Sequence, residues 1–183
     1  MTTPSEQSLR EVVASVVPLD SAAVSAGRER HLQLTKPAGS LGVLEDASTR
    51  LCGIHRQCPP RPLGAAVVAV FAGDHGVHAQ GVTPWPQSVT AAMVSNFLAG
   101  GAAVNVLARE AGASVVVVDM GVAATLPASP SLLDRKVRPG TSDLALGPAM
   151  TREEAVTAVL AGVEVADRLV DAGHDVLLTG DMG

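Results

Sequence analysis

Three apolar runs in this sequence each close on the same kind of triplet. Residues 65–72 lead into Asp74-His75-Gly76, 114–118 into Asp119-Met120-Gly121, and 175–178 into Asp181-Met182-Gly183. Short unbroken apolar runs of this kind read as strands buried on both faces, as in a parallel sheet. With helical segments between them, the order strand, helix, strand, helix, strand predicts an α/β fold: a Rossmann-like, doubly wound parallel sheet. In such sheets the ligand cleft lies beyond the carboxyl ends of the strands, so three carboxylates and three glycines are expected to gather on one rim. The plainer alternative is that Asp and Gly merely mark the turns after strands. Unequal spacing between the triplets excludes a solenoid repeat.

Helices are expected on both sides of the first run. Thr3-Pro4-Ser5-Glu6 reads as a capping box with proline at the first helical position, opening a helix to about residue 17, where Pro18 ends it. Asp20 caps a second helix to about residue 34, and a third runs to about residue 57. Cys58-Pro59-Pro60-Arg61-Pro62 is a stiff connector. It divides an N-terminal helical segment, residues 1–60 and part of a small domain, from a parallel-sheet domain over 61–183. Pro86 opens a helix to about residue 98, Gly100-Gly101 breaks it, and another ends before Gly112. Thr151-Arg152-Glu153-Glu154 is a second capping box, opening a helix that Gly173 stops.

Composition narrows the function classes. The 183 residues carry a net charge of −5, 47% hydrophobic but only 2% aromatic residues, and a mean hydropathy of +0.31. That apolar content excludes disorder, and the acidic balance argues against nucleic acid as a partner. Cys52 and Cys58 alone make neither a disulfide framework nor a four-ligand zinc site. The N-terminus lacks a basic segment followed by an apolar one, and Ser95, Asn96, Gly100, Gly101 and Asn105 interrupt the uncharged stretch 91–108. A membrane span needs about 18 or more apolar residues. No membrane association is expected, and the expected compartment is the cytoplasm.

Familiar motifs fail. No G-x-G-x-x-G follows a strand, no Walker A sequence occurs, and no G-x-S-x-G elbow supports a Ser–His pair. His75 and His78 stand beside Asp74, but the other histidines lie in distant segments, so a turn role outweighs metal ligation. No metal site and no cofactor are expected. The stretch 75–108 contains no Asp, Glu, Lys or Arg. Within it Pro84 and Pro86 brace Trp85, the one tryptophan, and a held indole suits a neutral aromatic heterocycle. For the helix after it, burial against the sheet or a subunit partner is the equal alternative.

Six motifs in order carry a family resemblance. They are Lys36-Pro37-Ala38-Gly39-Ser40-Leu41-Gly42 with Leu44-Glu45, Gly73-Asp74-His75-Gly76-Val77, Pro86-Gln87-Ser88-Val89-Thr90, Val118-Asp119-Met120-Gly121, Gly147-Pro148-Ala149-Met150-Thr151 and Gly180-Asp181-Met182-Gly183. Together they resemble nicotinate-nucleotide–dimethylbenzimidazole phosphoribosyltransferase from about Leu32 to Gly183.

The resemblance implies transfer of phosphoribose from nicotinate mononucleotide to 5,6-dimethylbenzimidazole, giving α-ribazole 5′-phosphate and nicotinate in cobalamin assembly. It places the benzimidazole pocket around Trp85, Pro86, Val89, Ala92 and Met93; some members carry polar side chains at the positions of Trp85 and Met93. It places the nucleotide near Asp181 and Gly183, where the family's glutamate is one methylene longer than Asp181. A homodimer is expected. A cationic pyridinium leaves without metal-bound pyrophosphate, and Asp181 or Asp74 on the rim can stabilise the oxocarbenium-like charge on ribose. The family's general base, a glutamate, lies beyond Gly183, so the chain is expected to be an N-terminal portion with pocket walls and without the base. The non-catalytic alternative is a domain that binds a heterocycle or nucleotide, or dimerises through the uncharged helix. A third reading, transfer from phosphoribosyl pyrophosphate, lacks its acidic pair here.

Overall fold

The computed structural model describes residues 4–183. The Thr3 cap therefore lies outside the described residues, and α1 (Pro4–Ser15) stops short of the expected residue 17. The chain forms two compact units, residues 12–63 and a second made of residues up to Glu11 with 64–183.

In the first unit, α2 (Ser21–Gln33) and α3 (Val43–His55) pack together. Asp20 caps α2 as expected, its carboxylate accepting the Ala23 N–H at 2.7 Å. Gly27 lets the helices close: a Cβ there would stand 3.2 Å from Cys52 Sγ and 3.3 Å from the Thr49 backbone. The Lys36–Glu45 motif is a clasp. Glu45 Oε1 accepts Lys36 Nζ at 2.7 Å and the Leu41 N–H at 3.2 Å, tying the loop to the first turn of α3. Those two bonds, the lysine's first, hold the Glu45 carboxyl below its ordinary 4.5.

The second unit is the α/β sheet. Strands β1 (Ala65–Gly73), β2 (Ala113–Gly121), β3 (Leu132–Asp134) and β4 (His174–Met182) are all parallel, in the order β3-β2-β1-β4. Helices α4 (Ser88–Leu98) and α5 (Ala103–Glu110) connect β1 to β2, and α6 (Arg152–Asp171) connects β3 to β4. Strand periodicity of two sorts the side chains between two cores. Val70, Ala72 and Val117 pack with Val94 and Phe97 of α4. Val67, Ala69 and Val118 pack with Val165 and Leu169 of α6. The middle strands β1 and β2 are therefore covered on both faces, as in a doubly wound fold.

Local signals explain most boundaries. Thr151 closes a complete capping box on α6: its Oγ1 accepts the Glu154 N–H at 3.2 Å, and Glu154 Oε2 accepts the Thr151 N–H at 2.7 Å. Residues 88–110 are apolar enough by length and composition to cross a membrane, but the chain breaks there into α4 and α5, whose inner faces lie on the sheet.

Two expectations need correction. A fourth strand, β3, is present, too short at three residues to register as a run. The third expected strand is not buried on both faces: β4 is the edge of the described sheet, with Leu177 at 39% and Leu178 at 44% exposure. It pairs with β1 on one side only.

Candidate active site

The chain leaves β1 for β2 and β3 on one side, then returns to β4 on the other. The direction of winding thus reverses between β1 and β4, the place where open α/β sheets bind ligands. A cavity of about 260 Å³ opens there. Asp74 and His75 leave the end of β1 into it, and Met182 and Gly183 the end of β4. Gly183 is a close-approach position. A Cβ would stand 2.6 Å from both the Gly73 carbonyl oxygen and His75 Nε2, so no side chain fits without displacing the wall.

The outer wall is the segment between β1 and α4. Residues Gly76–Gln80 form a 3-10 turn whose His78 N–H donates to the His75 carbonyl at 3.0 Å. Gly76 is also sterically required: a Cβ would meet the Asp143 backbone nitrogen at 2.5 Å and the Thr141 carbonyl oxygen at 2.7 Å. Its N–H donates to Thr141 Oγ1 at 3.2 Å, fixing the turn to the 141–143 loop. The loop that follows carries Trp85, which is 68% exposed and lines the cavity. Val82, Pro86 and Val89 extend the apolar lining, while Gln87 and Thr90 bring polar groups from the start of α4.

Of the residues expected at the heterocycle pocket, Trp85, Pro86 and Val89 line this cavity, together with Gly183, expected near the nucleotide, and Asp74, expected on the rim. Ala92 is exposed on α4. Met93 lies one turn beyond Val89 and packs against the core shared by α4 and the sheet. Neither lines the cavity. Asp181 is exposed near the end of β4, its Cα opposite Phe71 of β1, while its neighbours Met182 and Gly183 line the wall. Gln87 and Thr90 line the cavity as well, having stood in the sequence only as members of a motif; their i, i+3 spacing at a helix start, which places two polar groups on one face, is the signal that marks them. His78, in the sequence only a candidate metal ligand, lines it too.

The three Asp-x-Gly triplets differ in what their carboxylates do. Asp119 Oδ1 accepts the N–H groups of Gly121 and Val122 at 3.1 and 2.9 Å, and its Oδ2 pairs with Lys136 Nζ at 3.2 Å. It is a turn residue, as the plainer reading holds. Asp74 is buried, and its Oδ2 accepts the Ala123 N–H at 2.6 Å. Its main chain bonds the Gly121 carbonyl and the Thr141 N–H. Asp74 and His75 line a second cavity of about 130 Å³ on the α6 side, where Arg138 Nη1 lies 3.5 Å from Glu154 Oε1. The Thr151 N–H, with a smaller contribution from Arg138, holds the Glu154 carboxyl below its ordinary 4.5 against the opposing effect of burial. Among the described residues no group of three or more His, Cys, Asp or Glu side chains is placed to hold a metal ion.

A parallel sheet with an apolar cavity at its switch point and a buried carboxylate on its rim is the arrangement of a ligand-binding α/β domain. Residues 16–183 match the phosphoribosyltransferase family. A nicotinate-nucleotide–dimethylbenzimidazole phosphoribosyltransferase from Salinispora tropica is 54% identical, over 96% of this chain and 52% of its own length. One of the same name from Roseiflexus sp. is 53% identical, over 96% and 49%. The crystal structure of the enzyme so named from Thermus thermophilus superposes with a TM-score of 0.86 at 50% identity, covering 90% of this chain and 50% of that one. The chain belongs to the nicotinate-nucleotide–dimethylbenzimidazole phosphoribosyltransferase family. It spans about half the length of the curated relatives it matches.

Proposed function

We propose that the full-length protein transfers phosphoribose from nicotinate mononucleotide to 5,6-dimethylbenzimidazole, releasing nicotinate and forming α-ribazole 5′-phosphate for cobalamin assembly. The observation that carries this reading is the cavity between the ends of β1 and β4, walled by Trp85 and free of formal cations along its apolar lining. Its volume of about 260 Å³ lies just below the ~300–1,000 Å³ of sites for drug-sized ligands, which suits a bicyclic heterocycle. The base stacks on the indole of Trp85, with Pro86 and Val89 along its edge and Gln87 and Thr90 near its nitrogens.

The donor's pyridinium is already cationic, so nicotinate leaves as a neutral ring nitrogen and positive charge grows on the ribose. Asp74, buried on the rim, opposes that charge electrostatically, and Asp181 stands at the neighbouring strand end as a second carboxylate. The phosphate lies near the Gly183 main chain. A glutamate beyond Gly183 accepts the benzimidazole proton, so residues 1–183 supply pocket walls and not the base. The working form is a cytoplasmic homodimer.

The test is product formation by the full-length protein. Nicotinate mononucleotide and 5,6-dimethylbenzimidazole are expected to give α-ribazole 5′-phosphate by chromatography and mass spectrometry, without added magnesium. Turnover only with phosphoribosyl pyrophosphate and magnesium overturns the reading.

A further inference from the structure

We infer that His78 is a positioning residue for the base-binding wall: its ring Nε2–H, donated to the Trp85 carbonyl, fixes the indole over the cavity. The inference rests on reading this cavity as the base pocket. His78 Nε2 lies 2.8 Å from the Trp85 carbonyl oxygen. A carbonyl only accepts, so Nε2 carries the hydrogen.

The wall needs such a tether. Trp85 is 68% exposed, so packing among the described residues leaves most of its surface uncovered. Pro84 and Pro86 flank it and have no N–H to give. Among the described residues the Trp85 N–H reaches only Thr83 Oγ1, at 3.4 Å and from within the same loop. The His78 bond comes from outside that loop. Its own anchorage runs to the sheet, because the His78 N–H donates to the carbonyl of His75, the residue that lines both cavities at the end of β1. The His78 carbonyl also accepts the Gly81 N–H at 3.0 Å, where a φ of +71° turns the chain outward. Strand end, 3-10 turn, imidazole and Trp85 carbonyl thus form one continuous path. Losing the imidazole leaves the loop on its two prolines, and the indole then samples positions that do not meet a flat base.

The test is steady-state kinetics of full-length variants, with thermal midpoints measured alongside. His78→Ala is expected to raise KM for 5,6-dimethylbenzimidazole about fivefold, leaving KM for nicotinate mononucleotide and kcat within about twofold. His78→Leu, which keeps bulk without a donor, is expected to match alanine. His78→Gln, whose amide retains an N–H, is expected to recover KM to within about twofold of the parent. Unchanged base KM in the alanine and leucine variants, equal rises in both KM values, or glutamine no better than leucine each overturn the inference. Trp85→Ala in the same assay separates the two claims. If it raises base KM and His78→Ala does not, only the tether is wrong. If Trp85→Ala itself leaves base KM unchanged, the pocket reading fails and the tether with it.

Discussion

Lys136 Nζ lies 3.2 Å from Asp119 Oδ2 and donates as well to the carbonyls of Val122 and Ala124, at 2.7 and 2.9 Å. One buried carboxylate and one largely buried ammonium therefore fold the chain back after β2. Asp74, at the end of the adjacent strand, uses a main-chain N–H for the same purpose and stands beside two cavities. Equal triplets in sequence have become a structural ion pair in one case and a rim carboxylate in the other.

Removing the cation from the Asp119 pair leaves a buried carboxylate facing only amides. Lys136→Met is expected to lower unfolding stability by about 2–3 kcal/mol, somewhat below the cost of breaking a fully buried pair because Lys136 retains some water contact. Urea denaturation of the parent and variant measures this directly. An unchanged midpoint contradicts the structural role.

Asp74→Asn keeps a side-chain oxygen for the Ala123 N–H and removes only the charge. Stability is expected to stay within about 1 kcal/mol of the parent, while kcat of the full-length enzyme falls at least about tenfold. Chemical denaturation and single-turnover kinetics check the two halves. A large stability loss with unchanged kcat would make Asp74 a second Asp119.

The Lys36–Glu45 clasp predicts an acid-sensitive loop. Because Glu45 is held below its ordinary 4.5, its ionised form favours the folded state, and that contribution is complete above 4.5 and disappears as pH falls through the lowered value. The difference in thermal midpoint between the parent and Glu45→Gln is expected to be constant near neutrality and to shrink below pH 4.5. A difference that persists unchanged to pH 3 contradicts the clasp.

Much of this architecture is legible in the residues. Four consecutive β-branched valines, Val115 to Val118, read as a buried strand, and Thr151 with Glu154 marks the α6 start to the residue. Trp85 declares itself as the one tryptophan, set between prolines. Other features depend on what the fold brings near. Leu132–Asp134 becomes a strand because β2 offers it an edge, and three residues carry no periodicity of their own. That β4 is the edge of the described sheet follows from strand order, which no single segment encodes. Met93 belongs to the core because the phase of α4 turns Val94 and Phe97 onto the sheet and carries Met93 with them. His78 gains its role from a carbonyl seven residues away, reached only because the 3-10 turn and Gly81 bend the chain.

The most direct test of the central claim, that the cavity walled by Trp85 receives the base, is the pair of KM values for full-length Trp85→Ala. Covering about half of the exposed indole contributes ~2 kcal/mol, or about thirtyfold in KM. The account predicts that KM for 5,6-dimethylbenzimidazole rises at least about tenfold while KM for nicotinate mononucleotide stays within about twofold. An equal rise in both, or no rise for the base, contradicts it.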